Sequence, residues 1–259
     1  MLTAITRAVS PAIVSCELTF LDRKPIDLDK AREQHRAYEQ LLETLGAKLI
    51  SLPAEATLPV SMFVEDPAIV LDELAVILPL GTESRRPEAA SIALALTKFR
   101  TLAQITPPAS LEGGDILRIG HTLYVGLSSR TNAEGIRQLT ALLAPHNYKV
   151  ILVPVTGCLH LKSAVTHLGR NVLLANRAWF DTAPFAPAGY FWLDVSPDEP
   201  HAANALALGE TVIFPASFPH TRARIESAGF RVTSLDISEL QKAESGLTCS
   251  SLLFQSSTR

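Results

Sequence analysis

Residues 114–155, with the sequence GDILRIGHTLYVGLSSRTNAEGIRQLTALLAPHNYKVILVPV, decide the fold. Two short apolar segments, Asp115–Ile119 and Leu123–Leu127, are separated by a Gly-His turn and predict a pair of strands. Segment Asn132–Leu143 carries apolar residues at helical spacing, and Val150–Val155 is typical of a buried strand. The order is therefore strand, strand, helix, strand, which we call a ββαβ unit.

Four more copies of this unit can be traced along the chain. The second unit has predicted strands Ala68–Val70 and Ala75–Leu80, helix Pro87–Phe99 and strand Leu102–Ile105, and the third has Ala164–His167, Asn171–Ala175, a short helix and Tyr190–Val195. The fourth has Ala205–Leu208, Thr211–Phe214, a helix near Pro219–Ala228 and Phe230–Leu235. The fifth has Ala4–Val9, helix Asp29–Leu45, Lys48–Leu52 and the closing segment Gly246–Phe254. These copies fill nearly the whole chain without a Pro-, Gly- or Ser-rich linker. We therefore predict one α/β domain, residues 1–259, whose five units close a ring. The alternative is an α/β sandwich without fivefold order.

Composition and charge narrow the class of protein. Hydrophobic residues make up 47% of the 259 residues and charged residues only 19%, which excludes a disordered chain. The 23 basic residues do not outnumber the 26 acidic ones, so the net charge is −3. A chain with this charge has no basic surplus to neutralise nucleic acid or an anionic membrane. We expect a small-molecule or protein partner instead.

The length of the apolar runs and the spacing of the cysteines indicate the cellular compartment of the protein. The longest apolar run, Ala75–Leu80, is far shorter than the ~18 residues that a membrane-spanning helix needs. The start, Met1 to Pro11, lacks an apolar stretch of signal-peptide length. Three cysteines at wide spacing do not form a disulfide framework and fit a reducing compartment. We therefore expect a soluble, cytoplasmic protein.

Cys249 and His160 are the candidates for nucleophilic chemistry. Cys249 lies in a loop of small residues, where a thiol can be reached by substrate, although a buried structural thiol is the ordinary alternative. Cys16 and Cys158 have flanks that are equally ambiguous. His160 follows the buried strand Val150–Val155, at a strand exit where active-site residues are common. A structural zinc site at Cys158 and His160 is rejected, because the sequence has no second ligand pair at the required spacing.

Two acidic motifs are the candidates for binding a cation. Leu111-Glu-Gly-Gly-Asp115 places two carboxylates around a Gly-Gly pair that favours a close backbone approach, and Phe63-Val-Glu-Asp-Pro-Ala68 adds another acidic pair. The alternative for both is a turn with solvated acids. A phosphate site is excluded, because the glycine patterns of phosphate loops are absent from the sequence and the acids would repel phosphate.

Five motifs occur in order along the chain. They are Phe63-Val-Glu-Asp66, Leu111-Glu-Gly-Gly-Asp115, Gly126-Leu-Ser-Ser-Arg-Thr-Asn132, Leu159-His-Leu-Lys-Ser163 and Leu247-Thr-Cys249. In order and spacing they resemble the dimethylarginine dimethylaminohydrolase family of the guanidine-modifying superfamily. Segments Glu17-Leu-Thr-Phe20 and Leu21-Asp-Arg-Lys24 are similar to that family's mobile lid, so the resemblance covers essentially the full chain. It implies a fivefold pseudosymmetric α/β propeller of ββαβ units, the pentein fold.

The resemblance also implies roles for individual residues. Cys249 would be the nucleophile, His160 the general acid/base and Glu112 the acid of the triad. The implied substrate-binding residues are Asp66 and Glu65 for the guanidinium group, and Arg85 and Arg130 for the α-carboxylate. The implied reaction converts Nω-methylated arginines to citrulline and methylamines through a covalent amidino-thioether, without a metal or other cofactor. The partner would be a small-molecule guanidine, and the family includes monomers and dimers.

Two positions refine the substrate. Lys162 stands where deiminases and amidinotransferases of the superfamily carry an acid, which favours N-methylated substrates. Val60 stands where the family usually has an aspartate for the substrate's α-ammonium group. Either backbone groups near Leu18 and Ala243 hold the amine, or the substrate lacks a free α-ammonium and is another alkylguanidine acid. Two alternatives of other kinds are a binding propeller that has lost catalysis and a generic cysteine hydrolase acting on amides.

Overall fold

The structure is a computed structural model that describes residues 1–256. Within these residues, fifteen strands form five three-stranded sheets. The strands are β1 (Leu2–Arg7), β2 (Lys48–Leu52), β3 (Ala68–Val70), β4 (Leu74–Ile77), β5 (Thr101–Gln104), β6 (Ile116–Ile119), β7 (Thr122–Leu127), β8 (Lys149–Pro154), β9 (Val165–Gly169), β10 (Val172–Ala175), β11 (Phe191–Asp194), β12 (Leu206–Leu208), β13 (Thr211–Pro215), β14 (Arg231–Leu235) and β15 (Leu252–Gln255). The α-helices are α1 (Leu28–Thr44), α2 (Glu88–Leu96), α3 (Ala133–Leu143), α4 (Leu161–Ala164), α5 (Pro219–Ser227) and α6 (Ser238–Gln241).

All five sheets share one topology. The strand orders are β15-β1-β2, β3-β4-β5, β6-β7-β8, β9-β10-β11 and β12-β13-β14. In each sheet the middle strand pairs antiparallel with one neighbour and parallel with the other. An α-helix connects the two parallel strands in four of the sheets, as a parallel pair requires a crossover. The predicted ββαβ units are therefore confirmed in four of the five sheets, and the fifth has the predicted strand order.

In the sheet β9-β10-β11, the connection between the two parallel strands contains no α-helix. Two 3-10 helices, Arg177–Trp179 and Ala183–Ala188, connect β10 to β11. Pro187 lies inside the second of them and has no N–H to donate, so the longer-range bonds of an α-helix are interrupted there. The short helix predicted for this unit is thus two 3-10 helices.

Helices α1 and α3 form where apolar spacing predicts them, and a capping side chain begins each. The Asn132 side chain accepts the N–H of Gly135 at the start of α3, and Ile136, Leu139 and Leu143 are buried on one face. Asp27 caps α1 in the same way by accepting the N–H groups of Asp29 and Lys30. In the described part of the chain, no helix combines the length and apolar content needed to cross a membrane.

Several predicted strand ends differ from those in the structure, by one to three residues. Strand β4 ends at Ile77 rather than Leu80, because Pro79 cannot donate to a ladder. Strand β1 ends at Arg7 rather than Val9, since Ser10 caps a 3-10 helix, Pro11–Ser15. Strand β15 begins at Leu252, after the 3-10 turn Thr248–Ser250, which agrees with the loop predicted around Cys249.

The chain divides into two compact units. The first comprises Met1–Gly113, Ser238–Ser245 and the chain from Cys249 onward, and the second comprises Gly114–Ile237 and Gly246–Thr248. The first unit holds two of the sheets and a core that includes Ile5, Val64, Ile92 and Phe254. The second holds the other three sheets and two apolar cores, with Tyr124 and Phe185 in one and Phe214 and Ile225 in the other. That the chain acts as a single domain stays a prediction.

Candidate active site

In the first of the two compact units, three buried carboxylates surround the guanidinium group of Arg85. Asp66, Glu88 and Glu112 are each at most 2% exposed. Arg85 Nη1 donates to Asp66 Oδ2 at 2.9 Å and lies 3.8 Å from Glu112 Oε2. Its Nε and Nη2 donate to the two oxygens of Glu88 at 3.1 and 2.9 Å, which is a two-bond fork.

The charged groups of this cluster shift one another's pKa values. Burial opposes the charge on Arg85, but the neighbouring carboxylates outweigh it and raise the pKa of this guanidinium above its usual value. Burial raises the pKa of Glu88, which Arg85 counteracts. Asp66 therefore holds the guanidinium group of Arg85, and its binding to a substrate guanidinium stays a prediction. Whether Arg85 also binds a substrate carboxylate stays a prediction.

A glycine allows the two acidic motifs to come together. A Cβ atom at Gly113 would overlap the carbonyl oxygen of Glu65, and the Gly113 N–H donates to the Asp66 carbonyl at 2.9 Å. Glu112 Oε1 accepts the N–H of Gly81 at 3.0 Å. The close approach predicted for the Gly-Gly pair is thus confirmed at Gly113. The alternative of solvated turn acids is wrong for Glu112 and Asp115, since both are 0% exposed.

Cys249 lies in the 3-10 turn Thr248–Ser250 and is partly exposed. Its carbonyl oxygen accepts the N–H of Glu65 at 3.2 Å, which ties the thiol segment to the acidic motif. Behind it, the buried hydroxyl of Tyr38 shares a 2.7 Å hydrogen bond with Ser251 Oγ. Desolvation raises the pKa of the Tyr38 hydroxyl, so it stays protonated as a hydrogen-bonding group.

The other two thiols have unreactive surroundings. Cys16 is 0% and Cys158 is 8% exposed. Burial raises the pKa of both thiols, that of Cys158 to about 12. Cys158 Sγ also donates to the carbonyl of His160 at 3.1 Å. The Cys158 thiol is therefore almost fully protonated at neutral pH, and the rejection of a zinc site at this pair stays a prediction.

In the first compact unit, one carboxylate binds the lid-like segment, residues 17–24. Consecutive backbone N–H groups of Thr19, Phe20 and Leu21 donate to Glu244 at 3.0, 2.5 and 2.7 Å. Glu244 adopts a left-handed backbone with φ of 60°. The structure thereby brings the segment of Leu18, which is half-buried, beside that of Ala243, which is buried. The sequence prediction missed Glu244, because its partners are more than 220 residues away.

In the second unit, His160 and Arg130 lie on segments that meet at Asp115. His160 is 5% exposed and precedes the single turn of α4. Asp115 Oδ1 accepts the N–H of Leu161 at 2.9 Å, and Oδ2 accepts the hydroxyls of Ser128 and Thr131 at 2.6 and 2.7 Å. Burial raises the pKa of Asp115, whereas His160 and these hydrogen bonds lower it.

Asn204 is a second connecting residue that the sequence prediction missed. Its Nδ2 donates to the carbonyl of Lys162 at 3.0 Å and to Thr248 Oγ1 at 3.1 Å. Its Oδ1 accepts the N–H of Thr248 at 3.1 Å. A Cβ at Gly246 would overlap the Asn204 side chain, so a glycine is needed there. The residue before Cys249 is thereby joined to the histidine motif.

Comparison with known proteins identifies the family. Residues 56–184 match the arginine deiminase family. Dimethylarginine dimethylaminohydrolase from Pseudomonas aeruginosa is 37% identical over 230 residues, which is 88% of this chain and 90% of that protein. The enzyme of the same name from Streptomyces coelicolor is 35% identical over 250 residues, covering 96% of this chain and 95% of that protein.

Solved structures agree. A mutant of the Pseudomonas aeruginosa enzyme complexed with citrulline has a TM-score of 0.92 and 35% identity, covering 97% of this chain and 98% of that one. A histidine-to-glycine variant of dimethylarginine dimethylaminohydrolase, an adduct with S-methyl-L-thiocitrulline, has the same TM-score and identity and covers 98% and 100%. Together with the five sheets, these matches confirm the predicted α/β pentein fold. With such identity over most of its length, the chain belongs to the dimethylarginine dimethylaminohydrolase family.

Proposed function

We propose that this chain hydrolyses Nω,Nω-dimethylarginine to citrulline and dimethylamine, and that it also accepts Nω-monomethylarginine. It is a hydrolase of guanidino C–N bonds, as its relatives are. The observation that carries the proposal is the 3.2 Å hydrogen bond from the Glu65 N–H to the Cys249 carbonyl, which joins the candidate nucleophile to the acidic motif that would hold a guanidinium group. A planar cation of this kind needs carboxylates to accept its N–H groups and fix its orientation.

We propose the following chemistry. Asp66 and Glu65 hold the substrate guanidinium, and the Cys249 thiolate attacks its central carbon. The bond to the dimethylated nitrogen breaks, His160 protonates the departing dimethylamine, and an amidino-thioether remains on Cys249. His160 then removes a proton from water, whose oxygen attacks the same carbon. The carbon–sulfur bond breaks, citrulline leaves, and the thiolate returns, with Glu112 as the acid of the triad.

These steps use only a thiol, an imidazole, carboxylates and water. We therefore propose that the reaction needs no cofactor and that its only obligatory partner is a small-molecule guanidine. A cytoplasmic location and a monomeric or homodimeric state stay predictions, as does the lack of nucleic acid or membrane partners.

The proposal is tested by assaying formation of the ureido product, which is citrulline for the three arginines, from four compounds. These are dimethylarginine, monomethylarginine, arginine and the des-amino analogue of dimethylarginine. We expect both methylated arginines to give citrulline and arginine to give much less, because Lys162 replaces the acid of the deiminases. Citrulline from arginine alone would contradict the proposal. If none of the four compounds reacts and a simple amide assayed beside them does, the chain is a generic cysteine hydrolase.

Truncating Arg130 should weaken recognition of the α-carboxylate. Because charge-assisted hydrogen bonds contribute about 1.5–3 kcal/mol, Arg130→Ala should raise KM for dimethylarginine roughly tenfold to hundredfold. KM for a simple alkylguanidine should change little. Steady-state kinetics on both substrates measure the difference. Arg177→Ala, which removes an exposed ion pair with Asp194 in the same unit, is the control.

Arg85→Ala tests the second arginine predicted to bind the α-carboxylate, and it should also lower the stability of the protein. It leaves Asp66, Glu88 and Glu112 without their buried counter-charge, so stability should fall as well. Equal losses on the amino acid and on the alkylguanidine would show that Arg130 and Arg85 have structural roles and do not read a carboxylate.

A second candidate substrate, an alkylguanidine acid without a free α-ammonium group, is favoured by Val60, which is half-buried in the loop before the acidic motif. If dimethylarginine is the substrate, Val60→Asp should add a charge-assisted hydrogen bond. We then expect the specificity constant to rise about tenfold to hundredfold on substrates that bear the amine. If the substrate lacks the amine, the new carboxylate would be unpaired and turnover of the des-amino analogue should fall.

Measuring wild type and Val60→Asp on both substrates gives a thermodynamic cycle whose coupling sign separates the two candidates. A coupling near zero would mean that Val60 does not face the α-carbon. Val14→Asp, at an exposed position of the same unit, controls for the added charge.

A further inference from the structure

Asp115 is a buried carboxylate that the proposed chemistry does not use. It is 0% exposed and ends the 3-10 turn Gly113–Asp115, directly before strand β6. Its two oxygens accept three hydrogen bonds, one from the backbone N–H of Leu161 and two from the hydroxyls of Ser128 and Thr131. A carboxylate is an acceptor only, so it matches three donors, whereas an amide would turn a donor toward one of these groups.

The space for this carboxylate is provided by a glycine. A Cβ at Gly126, in strand β7, would lie 2.5 Å from Asp115 Oδ1 and 3.0 Å from the Cβ of Leu161. A separation of 2.5 Å is too short for such a contact, so any side chain at Gly126 would displace the carboxylate or the histidine segment.

Each oxygen of Asp115 is bound to a different functional segment. Oδ1 holds the N–H of Leu161, the residue directly after His160. Oδ2 holds the hydroxyl of Ser128, and Ser128 Oγ in turn accepts the N–H of Arg130 at 3.0 Å. One carboxylate therefore links the backbone of the histidine segment to the backbone of the Arg130 segment.

We propose that Asp115 is a positioning residue, which fixes the His160 and Arg130 segments in one geometry so that proton transfer and carboxylate binding are aligned on a single substrate. The inference rests on the proposed function, because it takes His160 as the general acid/base and Arg130 as the carboxylate ligand. Misplacing a reacting group by about 1 Å can cost on the order of 10²-fold in rate. Asp115 acts through its two neighbours and has no contact with substrate in this proposal.

The test compares Asp115→Asn, Gly126→Ala and Ser128→Ala. Asp115→Asn disturbs both segments, so kcat for dimethylarginine should fall about 10²-fold and KM should rise. Gly126→Ala removes no hydrogen-bonding group, yet should cause the same double defect by displacing the carboxylate. Ser128→Ala disturbs only the Arg130 side, so it should raise KM for dimethylarginine with a much smaller change in kcat. For a simple alkylguanidine, Ser128→Ala should leave KM nearly at the wild-type value.

Glu199→Gln is the matched control. Glu199 is a buried carboxylate of the same unit, 8% exposed, and accepts the N–H groups of His220 and Thr221 at 2.9 and 2.6 Å. It should lower the thermal midpoint and leave kcat and KM unchanged. A purely structural Asp115 would give the same pattern, so wild-type kcat and KM in folded Asp115→Asn and Gly126→Ala would overturn the inference.

The experiment still tests the role of Asp115 if one variant fails to fold, and it separates that role from the proposed function. If Asp115→Asn does not fold, Gly126→Ala and Ser128→Ala decide, and unchanged kinetics in both would overturn the inference. A wild-type enzyme that is inactive on dimethylarginine would instead overturn the proposed function. Active wild type with unaffected variants counts against the role of Asp115 alone.

Discussion

Replacing Cys249 with serine is expected to abolish citrulline formation, with a loss on the order of 10⁴–10⁶-fold in kcat, as for other enzymes that lose their nucleophile. The thiolate is the attacking species, and a serine hydroxyl at the same place is almost fully protonated at neutral pH. The measurement is initial-rate citrulline formation at saturating dimethylarginine. Cys16→Ser, at a 0% exposed thiol in the same unit, is the control and should keep its activity.

Alkylation of the wild-type enzyme checks the same role without mutation. Burial raises the pKa of the Cys16 and Cys158 thiols, so neither offers much thiolate at neutral pH, whereas Cys249 is partly exposed. Iodoacetamide should therefore label Cys249 first, and activity should fall in step with that labelling in peptide mass spectra. Labelling of Cys16 or Cys158 first, with activity retained, would refute the assignment and favour a binding protein without catalysis.

Replacing His160 with glycine should slow turnover by about 10²–10⁴-fold, the usual contribution of a general acid/base. The loss should fall more heavily on the second step, because water is a weak nucleophile unless a base removes its proton. An adduct on Cys249 should then persist, and mass spectrometry of the acid-quenched reaction would detect it on the intact protein.

The control for the histidine variant is His201→Gly, at an exposed histidine of the same unit. It should turn over normally and accumulate no more adduct than wild type. If His160→Gly forms and loses its adduct as fast as wild type, then another group activates the water.

Much of the fold could be predicted from local sequence signals. The apolar face of α3 and the capping residue Asn132 lie within one short segment, so periodicity alone locates the helix. The errors arise where local rules compete. At the end of β4, Pro79 interrupts an apolar run, and between β10 and β11 Pro187 interrupts α-helical hydrogen bonding, so that two 3-10 helices form instead.

The site was less predictable, because its contacts join distant parts of the chain. The motif containing Glu112 could be found from its glycines, but the hydrogen bond from Gly81 that orients its side chain could not. The Glu88 fork on Arg85 follows ordinary helical spacing and gives no signal of its own. Asn204 and Thr248 are 44 residues apart, so their pairing follows from the three-dimensional fold and not from spacing.

In the proposed reaction, this chain splits a guanidino C–N bond of dimethylarginine with water. The most direct test is to incubate the wild-type enzyme with Nω,Nω-dimethylarginine in ¹⁸O-labelled water and to quantify citrulline and dimethylamine together. We predict equal amounts of the two products, with one ¹⁸O atom in the ureido group of citrulline. Formation of ornithine and dimethylurea, or of neither product by enzyme whose Cys249 is intact, would contradict the account.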